Sequence, residues 1–294
     1  MKRMWSVLGA GLIMGLAATL LLSCNVIKGE LTLLVDNSQT TADSPCWSSD
    51  GSKIYFVSSE DLYSLGQVWS INLADETQKQ LSEEEVKEID ISRDGNLCVT
   101  YLDGWIRLLD TETWTQRDSI AVPEEAKTAK NFYPPKFSHQ SDKIIYYLYY
   151  LFSDSSYLHK VNLVDSTDEL ILAAKRGFVF APGPGDTLFA LGDTIYNLNS
   201  QERIPIDIPD DLIEFIYWNP VVPTELVIST GPQDDIFLFD LETQKATRID
   251  IRSTEASWVG YARFSPDGER IVFATLDAGG SWFVCRIWLF EPLD

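Results

Sequence analysis

One pattern recurs six times along this chain and constrains its fold more than any other feature. The first copy reads Cys46-Trp47-Ser48-Ser49-Asp50-Gly51-Ser52-Lys53-Ile54-Tyr55-Phe56-Val57, and the last reads Arg263-Phe264-Ser265-Pro266-Asp267-Gly268-Glu269-Arg270-Ile271-Val272-Phe273. Between them lie Ile91-Ser92-Arg93-Asp94-Gly95, Phe137-Ser138-His139-Gln140-Ser141-Asp142, Phe180-Ala181-Pro182-Gly183-Pro184-Gly185 and Trp218-Asn219-Pro220. The apolar residue before each turn falls at positions 47, 91, 137, 180, 218 and 264, at intervals of 44, 46, 43, 38 and 46. Copies four and five are degenerate and are placed by the spacing. A fixed period of this length marks a repeat architecture in which each unit buries its faces on its neighbours.

Each copy has the same physical content. An apolar strand enters a tight turn of Ser, Pro, Asp and Gly, residues that supply turn hydrogen bonds and positive φ. A β-rich strand leaves it, as in Lys53 to Val57, Ile144 to Tyr150 and Arg270 to Thr275. A second alternating strand follows, as in Val68 to Leu73 or Ile236 to Leu241, then a polar turn such as Asp75-Glu76-Thr77 or Glu242-Thr243-Gln244. A short outer strand, Lys79 to Leu81 or Ala246 to Ile249, completes the unit. Four strands per repeat is the composition of a propeller blade.

The Phe-Ser-Pro-Asp-Gly-x-x-Ile-x-Phe pattern resembles the TolB-type, Trp-Asp-like β-propeller repeat, over nearly all of residues 30 to 294. The resemblance implies an all-β, six-bladed propeller of four-stranded blades, with the Pro-Asp-Gly turn joining the innermost strand to the second. It assigns those turn residues a structural role and no activity. The sixth copy stops at its third strand, Arg286 to Phe290, while Leu31 to Val35 is a strand with no unit of its own. We expect residues 30–36 to close the last blade, removing an open sheet edge.

The first residues carry an address. Lys2 and Arg3 precede an uncharged, largely apolar run from Met4 to Ser23, the parts of a secretory signal. Leu21-Leu22-Ser23-Cys24 resembles a bacterial lipobox, which implies cleavage before Cys24 and diacylglycerol attachment to it. The expected organisation is a signal peptide over 1–23, a lipidated tether over 24–29 and one propeller over 30–294. That places the chain at the bacterial cell envelope, lipid-anchored on the exported side of the membrane. An uncleaved membrane helix is the alternative, since about 20 apolar residues span a bilayer. Removing Lys2 and Arg3 would move the formal charge from −21 to −23.

That charge, from 44 acidic and 23 basic side chains, excludes a nucleic-acid partner, which needs clustered Lys and Arg. Aromatics at 12% exclude a disordered chain. Cys46, Cys98 and Cys285 sit in strand-like runs without Cys-x-x-Cys spacing, so buried free thiols are expected. No cofactor or metal is expected.

Catalytic motifs are absent. His139 occupies a turn position and His159 a strand position beside Leu158, and both read as structural. There is no Gly-x-Ser-x-Gly elbow, no phosphate-cradling glycine loop and no Asp-x-Asp-x-Asp-Gly calcium loop. The blades consume the chain, which leaves no room for the hydrolase domain of propeller peptidases.

Acidic loops carry the remaining functional signal. In the resembling family, the connections between blades and between second and third strands share one face. That face would gather Asp61, Tyr63, Asp103, Trp105, Phe152, Asp154, Asp234, Asp235 and Trp282, as charges interleaved with aromatics. Charged loops that only keep the chain soluble are the competing explanation. The expected function is a non-enzymatic, envelope-anchored scaffold that binds a protein, a glycan or another ligand through this face. The alternative is a propeller lyase or hydrolase acting on envelope polysaccharide. Convergent polar groups with shifted pKa values in the central channel would favour the enzyme, and an apolar or acidic channel mouth would favour binding.

Overall fold

The fold is described from a computed structural model over residues 26–36, 41–60, 64–129, 131–151, 155–175, 179–208, 212–231, 235–254, 256–277 and 284–293. Six antiparallel sheets succeed one another along the chain, as expected for a six-bladed propeller. Their innermost strands are Thr41–Trp47, Asp90–Ile91, Asn131–Phe137, Phe180–Pro182, Ile213–Trp218 and Trp258–Phe264. In blades one to five each is followed by strands two, three and four in meander order, and in blade six by strands two and three.

The repeated turn is a hydrogen-bonded module. Ser48 Oγ donates to Asp50 at 2.7 Å and accepts from the Lys53 amide at 2.9 Å. Ser92 with Asp94 and Ser265 with Asp267 repeat the arrangement. Gly95 and Gly268 take φ of 76° and 78° there, which a side chain would strain. In blade five Asn219 substitutes for the serine, its Oδ1 accepting from Val221 and Val222.

Six hydrophobic clusters fill the spaces between neighbouring blades. Val57 and Val68 meet Ile89 and Leu109 between blades one and two. Val99 and Ile106 meet Ile145 and Tyr147 between two and three, and Tyr146 and Leu158 meet Phe180 and Phe189 between three and four. Further clusters join four to five, five to six and six to one. The periodic sequence thus folds only as a closed ring, since each blade leaves both faces apolar. Cys46 and Cys98 pack in the first of these clusters, and they and Cys285 are buried free thiols as expected.

Closure follows the expected route. Gly29–Asp36 pairs antiparallel with Val284–Pro292 as the fourth strand of blade six, and Arg286 bonds Asp36 at 3.0 Å. One feature differs from expectation. Within the segment assigned to a tether, Val26–Ile27 pairs parallel with Lys245–Ile249, the outer strand of blade five. Asp250 N donates to Ile27 O at 2.9 Å, so the N-terminal segment clasps two blades. The segment expected to be a signal, and Cys24, lie outside the described residues.

Candidate ligand site in the central channel

Strand alternation decides which side chains face the axis. One position before each turn marker stand Cys46, Asp90, Lys136, Val179, Tyr217 and Arg263, one from each blade. Two positions further back stand Ser44, Glu88, Pro134, Phe215 and Tyr261. Inner strands of blades one, three, five and six carry a bulge over this stretch, which re-aims their side chains. Ser44 and Tyr261, at equivalent repeat positions, adopt φ of 50° and 56°. A bulky residue held there is strained, and such strain concentrates at functional sites.

The deeper layer closes the channel. Arg263 bonds Asp90 at 2.8 Å and the Ile89 carbonyl at 3.1 Å, joining blade six to blade two. Asp90 accepts from the Phe137 amide of blade three at 2.8 Å. Lys136 donates to the carbonyls of Phe180 and Ile216, in blades four and five, at 2.7 and 3.4 Å. Tyr217 lies under both cations, with Lys136 Nζ 3.8 Å and Arg263 Cζ 4.3 Å from its ring centre. Trp47 Nε1 reaches the Arg263 carbonyl at 3.3 Å, bringing in blade one. This belt ties all six blades.

Low polarity around the axis shifts the ionisable groups. Burial, with the charge of Glu88 adding to it, pushes the Asp43 carboxyl up to about 7. Burial raises Glu88 as well. Burial, followed by the Arg263 charge, pulls Lys136 down to about 7. Burial also raises the phenols of Tyr217 and Tyr261.

Above the belt lies a cavity of about 290 Å³. It opens where the inner strands begin, the face that also carries the loops between second and third strands. Its walls include the rings of Tyr133, Phe180, Phe215, Tyr217 and Trp258, and its polar groups are Glu88, Glu214 and Lys136. Trp258 Nε1 donates to Glu214 Oε2 at 2.6 Å and packs edge-on against Phe215. Gly260 leaves room for this, since a Cβ there would stand 2.2 Å from the Trp258 ring. A second, more polar cavity of about 430 Å³ opens at the opposite end, among the serine and proline turns.

Of the residues expected on the loop face, Asp61, Tyr63, Phe152, Asp154, Asp234 and Trp282 lie outside the described residues. Asp103 and Trp105 are exposed on it. Asp103 and Gly104 take φ of 51° and 83°, the left-handed pair of a two-residue hairpin between Leu102 and Trp105. Asp235 differs from the expectation of an open rim carboxylate. It is 3% exposed and paired with Arg248 at 2.6 Å. Acid is not confined to that face either. Asp75, Asp110, Asp165 and Asp240 cap the opposite turns, each bonding a threonine, and these bonds hold their carboxyls below the usual range.

His159 is a hydrogen-bonded strand residue, its Nδ1 2.7 Å from Asp168. His139 stays in its turn, where its carbonyl accepts from Arg93. No group of three or more metal-binding side chains occurs among the described residues. Sequence reasoning missed Glu88, Asp90, Lys136, Glu214 and Arg263. The available signal was a charged residue beside an apolar turn marker, at positions 90, 136 and 263.

No protein-family model and no curated protein matches this chain. Solved structures do. A calcium-binding protein, regucalcin, from Agrobacterium tumefaciens superposes with a TM-score of 0.64 at 9% identity, over 92% of this chain and 98% of that one. An oligogalacturonate lyase in complex with manganese gives 0.55 at 13% identity, over 92% and 99%. The WD40 repeats of RRP9 give 0.55 at 9% identity, over 90% and 98%. At these identities the likeness is one of fold: the chain is a six-bladed β-propeller, an architecture shared by enzymes and binding scaffolds.

Proposed function

We propose that this protein is a lipid-anchored propeller of a bacterial envelope, tethered through Cys24, that binds a small ligand in the axial cavity of its loop face. The observation that carries the reading is the cavity itself: aromatic walls, few polar groups and a floor closed by the Lys136–Tyr217–Arg263 belt. Concave, mostly apolar sites with a few placed polar groups are where small ligands bind. The cations below it are already engaged by Asp90 and by backbone carbonyls. They serve the ring's integrity, which favours binding over turnover.

The test is a ligand screen by thermal shift on the unmodified protein and on Val179→Trp, which fills the cavity from its wall. Ligands that stabilise the first are expected to leave the second unmoved. Equal stabilisation of both overturns the site.

A second reading, a lyase or hydrolase acting on envelope polysaccharide, is favoured by one observation. Asp43 and Lys136 both titrate near 7, where general acids and bases work best. Incubation with uronate-containing polysaccharides, assayed for new chain ends, tests it; activity unchanged in Asp43→Asn and Lys136→Met removes these groups from the chemistry.

A further inference from the structure

Resting on the small-ligand reading above, we propose that the axial cavity is selective for a free organic cation, an alkylammonium or a guanidinium of low molecular weight. Its walls are ring faces, which attract cations through their quadrupoles. Its two carboxylates, Glu88 and Glu214, stand at the same walls.

The carboxylate of Glu214 is held in place. Trp258 Nε1 donates to its Oε2, and its Oε1 lies over Gly231, where a Cβ would stand only 2.7 Å away. Both glycines, Gly231 and Gly260, make space for the pair, so the acid–indole arrangement is built by the backbone around it. On this proposal a donor on the ligand bonds the carboxylate at Oε1, the oxygen that Trp258 does not engage.

Charge decides the ligand class. Lys136, the cation lining this cavity, is committed to two carbonyls and to the face of Tyr217. Behind Glu88 lies Asp43, whose Oδ1 is buried without a hydrogen-bond partner. The Glu88 charge adds to the cost of ionising the buried Asp43, and a cation in the cavity relieves it. A neutral sugar would stack on the rings and leave that repulsion in place. A bare divalent ion lacks the three convergent ligands it needs among the described residues. The net charge of −21 steers cations toward the protein as a whole.

Binding and proton release are therefore linked. The groups that face the cavity or the layer below it are Asp43, Glu88, Glu214, Asp90, Lys136, Arg263, Tyr217 and Tyr261. A bound cation expels a proton from the Asp43–Glu88 pair and from Lys136 alike, so affinity rises with pH through the neutral range.

The experiment is calorimetric titration of the full chain in detergent with butylammonium and butylguanidinium, against methyl glucoside and butyrate. It is run in two buffers of different ionisation heat, with total tryptophan emission recorded alongside. The expected result is saturable binding of the cations with proton release, weakened about tenfold or more in Glu214→Gln, the loss of one charge-assisted contact. Asp103→Asn is expected to bind as the unmodified protein does. Equal or tighter binding of methyl glucoside or butyrate, blocked by Val179→Trp, overturns the cation class and leaves the cavity reading standing. No binding of either cation overturns the cation class, and the thermal-shift screen with Val179→Trp then decides the cavity reading separately. Because the comparison among probes uses the unmodified chain, a variant that fails to fold does not spare the proposal.

Discussion

Arg263 and Asp90 form an ion pair of 2.8 Å across the axis, although blade one separates their blades in the ring. Both are largely shielded, at 8% and 18% side-chain exposure. Removing one partner leaves the other charge buried, whereas replacing both by apolar groups restores balance. Asp90→Ala is expected to cost about 3–5 kcal/mol. The double variant Asp90→Leu, Arg263→Met is expected to cost clearly less. Urea unfolding of the two variants checks this, and an Asp90→Ala curve that overlays the unmodified one would refute the belt's structural role.

The channel makes stability depend on pH in two opposite ways. The Asp43 carboxyl titrates near 3.8 when unfolded and near 7 when folded, so the folded state holds its proton more tightly. Its contribution is full below the unfolded value and is lost as pH rises through about 7. Lys136 falls from 10.5 to about 7, so the unfolded chain binds its proton more tightly and stability rises with pH between those values. Stability attributable to the pair passes through a minimum near neutrality. Asp43→Asn should flatten the acidic limb and Lys136→Met the alkaline one, as read from melting temperatures across pH.

Ring closure rests on the N-terminal strand. Deleting residues 30–36 removes the fourth strand of blade six and exposes the cluster of Val35, Val272 and Ile287. The whole ring should melt at lower temperature in a single transition. Deleting 26–28 releases the parallel clasp on blade five and the bond from the Leu293 amide to the Lys28 carbonyl, and should shift melting less. An unmoved transition in the first deletion would rule out closure by this strand.

Gly260→Ala places a Cβ where the Trp258 and Phe215 rings now lie. Overpacking of this kind costs about 1–3 kcal/mol. It should also detach Trp258 from Glu214, seen as a red shift of tryptophan emission.

The lipid anchor has a direct assay. Cys24→Ala is expected to abolish incorporation of labelled palmitate and to release the protein from membranes; unchanged labelling would exclude attachment at that residue.

Much of the architecture was legible in sequence because its signals are local. A Ser-x-Asp-Gly turn bonds within itself, so Ser48 to Lys53 and Ser265 to Arg270 announce their geometry without help from the rest of the chain. The loop face was less legible. Asp103 and Asp235 look alike as acidic loop residues, yet one supplies a hairpin turn and the other an internal ion pair with Arg248. Acidity alone does not say whether a carboxylate is exposed, capping or paired.

The sequence by itself determined the number of blades, their order and the strand that closes them, because period, alternation and turn chemistry act over a few residues. Only the tertiary structure decided what the centre of the ring contains. Arg263 and Asp90 are 173 positions apart, and Glu214 meets the indole of Trp258 across 44. Such pairs exist because closing the ring brings six inner strands to one axis, and no local pattern specifies which side chains will face each other there.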